Sequence, residues 1–144
     1  MTEHTFSNQI VVGVDGSRHS VEALRVARKL GDALQHEVVV VSCWQWPFGY
    51  DPIAEPTWSP EREAKASGRD AIGEVYGDPD ALSLRVTPGP TAPTLIDAST
   101  TAAMLVVGSR GHGGFAGLLL GSVSAACAER AYCPVLVVHS PHPR

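Results

Sequence analysis

The sequence predicts an α/β domain: a parallel β-sheet with helices on both faces. Three observations carry that expectation. Short apolar runs alternate with helix-patterned segments in the order β-α-β-α-β-α-β-α-β. The second of these runs is apolar at consecutive positions, as a strand covered on both faces requires. Clusters of glycine, proline, serine and aspartate mark several of the joints between them. At 144 residues the chain is long enough to bury a core, and no internal repeat or linker divides it, so a single domain over 1–144 is expected.

Each element has its own local warrant. Residues 9–14 read as the first strand, closed by Asp15-Gly16-Ser17. Residues 19–34 carry Val21, Leu24, Ala27, Leu30 and Leu34 at three-to-four spacing, the signature of an amphipathic helix, with Gly31 weakening its last turn. Residues 37–43 form a β-branched second strand. Residues 44–59, broken by Pro47, Gly49, Pro52 and Pro56, read as a loop. Ser59-Pro60 is an N-cap followed by proline at the first helical position, opening a helix to about Tyr76 that Gly68 and Gly73 weaken. Residues 82–86 are a third strand, 87–90 a turn, and Thr91 a cap for a helix running to about Thr101. Residues 103–107 are a fourth strand, 122–131 a helix and 134–138 a fifth strand, with a frayed tail.

Composition narrows the function classes. With 44% hydrophobic and 18% charged residues the chain is an ordinary globular one, and a net charge of −4 argues against the basic face of a general nucleic-acid binder. Cys43, Cys127 and Cys133 are odd in number and form no C-x-x-C pair, as expected of free thiols in a reducing cytoplasm. The first residues lack a basic segment followed by an apolar one, and no apolar run approaches the roughly 20 residues that span a bilayer. A cytoplasmic protein without membrane association is expected.

The most informative stretch follows the fourth strand. Gly108, Ser109, Arg110, Gly111 and Gly113 form a glycine-rich loop, which ends in Gly121-Ser122 at the start of a helix. Amides left open by glycines, together with a helix N-terminus bearing hydroxyls, make an anion cradle, and phosphate is its usual occupant. The spacing Gly108-x2-Gly111-x9-Gly121-Ser122, the opening Val-Val-Gly-Val-Asp15-Gly-Ser, residues 86–89 ahead of the third helix and the closing Cys-Pro-Val-Leu-Val-Val resemble the universal stress protein family. The likeness covers nearly the whole chain. The resemblance implies an open five-stranded parallel sheet of order 3-2-1-4-5, Rossmann-like and similar to the adenine nucleotide alpha hydrolases. In that order Asp15 and Gly108 end neighbouring strands at a topological switch point, where open sheets bind ligands.

The resemblance also implies an ATP site with Mg²⁺. Gly108 and Gly111 would let the backbone approach ribose and phosphates. Gly121, Ser122, Val123 and Ser124 would offer amides, and the two serines hydroxyls, to phosphate. Main chain around Cys43 would read the adenine edge, with Gly13 and Val14 walling the pocket, while the thiol itself reads as a buried small apolar group. Arg110 stands between pairing with the nucleotide and simple solvation. Asp15 stands between a bridging Mg²⁺ and an Asx-type turn or helix cap. His112 stands between a phosphate contact and none, and His139 and His142 read as solvated.

Rival motifs fare worse. Gly111-His-Gly113-x-x-Ala116 matches a dinucleotide fingerprint, but late in the chain and without an acidic residue before Glu129. The only lysines, Lys29 and Lys65, lie far from the loop, so a Walker-type site fails and phosphoryl transfer lacks its cation. Trp44, Trp46, Phe48, Tyr50 and Trp58 hold five of nine aromatics; they either pack on the sheet edge and second helix or form a lid or partner surface. The apolar edge strand 134–138 suggests a homodimer, as the resemblance does. Three functions follow: a nucleotide-dependent regulator or sensor in stress response with an unidentified protein partner; a slow ATPase or nucleotide-dependent transferase; or an interaction module without nucleotide.

Overall fold

The computed structural model describes residues 7–51, 53, 57–111 and 120–140. Nine elements follow in order: β1 Gln9–Gly13, α1 Arg18–Leu34, β2 Glu37–Trp44, α2 Pro60–Tyr76, β3 Ser83–Pro88, α3 Thr91–Ser99, β4 Met104–Gly108, α4 Ser122–Arg130 and β5 Val135–Val138. The strands form one sheet of order β3-β2-β1-β4-β5, parallel throughout.

Consecutive apolar residues in β2 are explained by a core on each face. Val38 and Val40 join Ile10, Val12, Leu24 and Ile72 beneath α1 and α2. Val41 joins Val11, Leu95, Leu105 and Cys127 beneath α3 and α4. Of the glycines that weaken α1 and α2 by propensity, Gly31 and Gly68 sit where a helix meets the sheet, whereas Gly73 faces Pro79. A Cβ on Gly31 would lie 2.9 Å from Val38 Cγ2, and one on Gly68 would lie 2.7 Å from Leu84 Cδ1. Ser59 caps α2 as its sequence predicts, accepting from the Arg62 amide at 3.3 Å with Pro60 at the helix start.

Most boundaries shift by a residue or two, α3 ending at Ser99 and not Thr101, and the differences that change a residue's role lie around residues 87–91. The segment expected to be a turn carries the strand on: Thr87 pairs with Cys43 and Pro88 with Trp44. Proline is tolerated there because β3 is an edge strand, where one side needs no donor. Thr91 is the first residue of α3, and Pro90 holds the capping position with no side-chain bond to the helix amides.

Candidate functional site

The strand order brings the carboxyl ends of β1 and β4 side by side, and both chains turn from there into helices. After β1, the Asp15 carboxylate accepts from the Ser17 amide at 2.9 Å, an Asx turn. Ser17 in turn caps α1, its Oγ accepting from the Ser20 amide at 3.3 Å. After β4, Gly121 takes the capping position of α4, and among the described residues no side chain caps the helix amides. Its own amide donates to the Ser109 carbonyl at 2.7 Å, and intrahelical bonding begins with the Ala125 amide to the Gly121 carbonyl at 3.0 Å. The amides of Ser122, Val123 and Ser124 therefore open the helix without intrahelical partners.

A cleft of about 230 Å³ lies between these turns. Gly13, Val14, Asp15, Cys43, Gly108, Arg110, Gly111, Gly121, Ser122, Val123 and Ser124, all expected at a site, line it together. Gly113 and His112 lie outside the described residues. Ser109 is the exception: it is 1% exposed, sits behind the cleft wall, and its Oγ meets His19 Nδ1 at 3.1 Å. Ser124 also departs from its expected role. Its hydroxyl, expected to reach a phosphate, is buried and donates within the protein, to the Ser109 carbonyl at 2.9 Å or the Gly121 carbonyl at 3.1 Å. The exposed Ser122 hydroxyl has no such tie among the described residues.

The glycines of the motif do different work. A Cβ on Gly108 would fall 2.7–2.8 Å from the backbone of His19, so this glycine lets the first turn of α1 close on β4. A Cβ on Gly111 would lie 2.5 Å from Asp15 Oδ2, which sets the two turns against each other across the cleft mouth. A Cβ on Gly121 meets nothing nearer than 3.4 Å. A methyl there would meet its described neighbours at ordinary contact distance.

Sequence reasoning passed over several lining residues: Ser20, Thr91, Leu95 and Val107. Leu95 walls the cleft opposite Gly13, where a Cβ would lie 2.8 Å from Leu95 Cδ1. The only signal for Leu95 was its place on the apolar face of α3. The Cys43 thiol lies against Thr94 and Thr91; burial pushes its pKa up, and bonds from those two hydroxyls pull the other way. Asp15, Cys43 and Arg110 are the ionisable side chains among the described lining residues. No cluster of three or more histidine, cysteine or acidic side chains suited to a metal occurs among the described residues.

The aromatic segment packs largely on itself. Trp46 stacks on Tyr50 with ring centroids 5.2 Å apart, and Trp58 meets Tyr50 edge-on at 4.8 Å. Trp58 Nε1 donates to Glu63 of α2 at 3.1 Å, whereas Phe48 projects fully into solvent. A second, more open cleft of about 380 Å³ runs from Val14, Asp15 and Cys43 out to Trp44, Trp58 and Glu63. Packing on α2 and bordering the site therefore coexist in one segment.

Comparison with known proteins agrees with this fold. A model of the universal stress protein family matches residues 7–139. A universal stress protein of Mycolicibacterium smegmatis is 37% identical over 142 residues, covering 90% of this chain and 47% of its own length. The chain thus spans about half the length of such curated relatives. Among solved structures, a universal stress protein in complex with cAMP is 25% identical, with a TM-score of 0.67 over 95% of this chain and 100% of the other. The universal stress protein UspA from Lactobacillus plantarum is 20% identical with a TM-score of 0.75, covering 92% and 97%, and supports the fold alone.

Proposed function

The chain belongs to the universal stress protein family, and we propose that the cleft between the β1–α1 and β4–α4 turns holds an adenine nucleotide, ATP in particular. The observation that carries this reading is the uncapped start of α4. Three amides without intrahelical partners and the exposed Ser122 hydroxyl border a cleft lined elsewhere by glycines, apolar groups, Thr91 and the charged pair Asp15 and Arg110. The solved relative in complex with cAMP adds support for the adenine nucleotide class. Thr91, Leu95, Gly13 and Val14 would wall the base, with main chain at Cys43 reading its edge, and α4 would take the phosphates.

The residues present fit Mg²⁺ only as a companion of the phosphates. Asp15 is the single carboxylate among the described lining residues, and one of its oxygens already accepts from Ser17. Mg²⁺ is commonly held by one or two carboxylates plus phosphate and water. Bound so, the ion would offset charge between Asp15 and the phosphates. The lining offers no lysine, so the reading is retention of nucleotide, with the chain acting as a nucleotide-dependent regulator or sensor in stress response. Among the described residues β5 pairs on one side, with β4, which supports a homodimer through the edge of residues 134–138.

Heat denaturation of the purified protein followed by chromatography of the released small molecule tests the reading directly. Adenine nucleotide is the expected product, and added ATP with Mg²⁺ should raise the melting temperature. No released nucleotide together with no thermal shift would sink it.

A further inference from the structure

We propose that His19, on the first turn of α1, is a positioning residue for the nucleotide cradle, and that it works as a neutral imidazole accepting at Nδ1. The inference rests on the nucleotide reading above. Two groups converge on Nδ1: the Ser140 amide at 3.2 Å and the Ser109 hydroxyl at 3.1 Å. A backbone amide can only donate, so Nδ1 presents its lone pair and the ring proton of the neutral form sits on Nε2.

Ser109 is the junction through which this matters. Its amide donates to the Val138 carbonyl at 2.8 Å, and its carbonyl accepts from the Gly121 amide at 2.7 Å and the Ser124 hydroxyl at 2.9 Å. One buried serine thus joins the end of β5, the start of α4 and the first turn of α1. Gly108 permits the approach, since any side chain there would strike the His19 backbone. A proton taken from solvent onto Nδ1 would oppose an N–H to the Ser140 amide and turn the Ser109 hydroxyl from donor to acceptor. Loss of the Ser140 bond and reversal of the Ser109 bond loosen the turn that presents the α4 amides. Nucleotide affinity then falls when that proton is taken up.

Other charged or titratable groups on the elements around this ring are Arg18 and Glu22 on α1, Glu74 on α2 facing Arg18 at 3.9 Å, Arg110 after β4 and His139 after β5. Among the described residues, the Ser109 hydroxyl and the Ser140 amide are the groups that meet the acceptor.

The test has two arms. In ligand-free protein, the Ser140 and Gly121 amide resonances are followed by NMR from about pH 8 to about pH 5. Both should move with the His19 ring, and their failure to follow it overturns the coupling whether or not nucleotide binds. In the second arm, ATP affinity is measured by calorimetry near both pH limits for the native protein, His19→Ala and His19→Asn. His19→Ala should bind about tenfold more weakly at the higher pH, as loss of a buried hydrogen-bond partner implies. Asparagine, whose Oδ1 accepts where Nδ1 does but does not titrate, should rescue that loss and remove the extra weakening at low pH. Comparison on one nucleotide cancels the titration of its phosphates. Equal pH profiles for native and His19→Asn proteins overturn the proposal. Absence of ATP binding in every protein at every pH would instead remove the nucleotide reading, with the amide arm still judging the junction.

Discussion

Two strand-to-helix turns stand side by side at the carboxyl edge of the sheet, and they finish their helices in opposite ways. After β1, Asp15 and Ser17 satisfy local amides from within the turn. After β4, Gly121 leaves the start of α4 without a side-chain cap, and the nearby Ser109 carbonyl braces the turn from behind. The first turn is complete in itself. The second leaves its first amides without intrahelical partners, and on the proposed reading this makes it the receiving surface and the first turn a wall.

Substitutions can break this contrast, beginning with the largest expected effect. Gly108→Ala should lower stability by about 1–3 kcal/mol, because the new methyl meets the His19 backbone and no flexible side chain can yield. Urea unfolding checks it, and an unchanged midpoint would mean that α1 does not need this close approach. Gly121→Ala should leave the urea midpoint where it is, since a methyl meets its described neighbours at ordinary contact distance, while weakening ATP by about tenfold, or about 1.4 kcal/mol. A matching loss of stability would show that the second turn is structural after all. Ser17→Ala removes a cap and should cost about 1 kcal/mol of stability while ATP affinity holds. If affinity falls as it does for Gly121→Ala, the two turns are not separable.

The smallest effect is a chemical one at the wall between them. Burial favours the neutral form of the Cys43 thiol, so at about pH 8 it should alkylate more slowly than in the urea-unfolded chain. Its labelling curve should be displaced to higher pH, where thiolate finally forms. Saturating ATP should slow labelling further, because Cys43 lines the cleft. Peptide mapping by mass spectrometry separates this thiol from Cys127 and Cys133, and labelling indifferent to ATP would argue against base binding beside it.

Much of this architecture was legible in the residues. The Ser59-Pro60 start of α2 follows from local chemistry, and the valine run of β2 announces a strand buried on both faces. Strand order came from the spaced glycine pattern and the family likeness, because pairing partners leave no trace in local composition. The sequence left Asp15 between a turn and a metal ligand. Its bond to Ser17 shows the turn, and its second oxygen faces Gly111 across the cleft. Ser109 and Ser124 lay in the right motif, but which way a hydroxyl points depends on neighbours brought in by folding. His19 was passed over entirely. It meets Ser109 and Ser140 across 90 and 121 residues of sequence, and nothing local to it hints at either.

The valines of β2 have a consequence beyond packing. Where one face of a strand is polar, a slip of one residue is punished at once, because apolar groups turn to water. In residues 38–41 both faces are apolar, so such a slip would simply exchange one core for the other. Correct alignment must come from the ends, where the Glu37 amide bonds the Asn8 carbonyl and Ser42 Oγ bonds the Val14 carbonyl at 2.9 Å. Before β1 and β3 close over it, the same uncharged, proline-free run is a stretch ready to pair with another copy of itself. Substitutions that delay folding should therefore be read first as insoluble protein, and only afterwards as lost affinity.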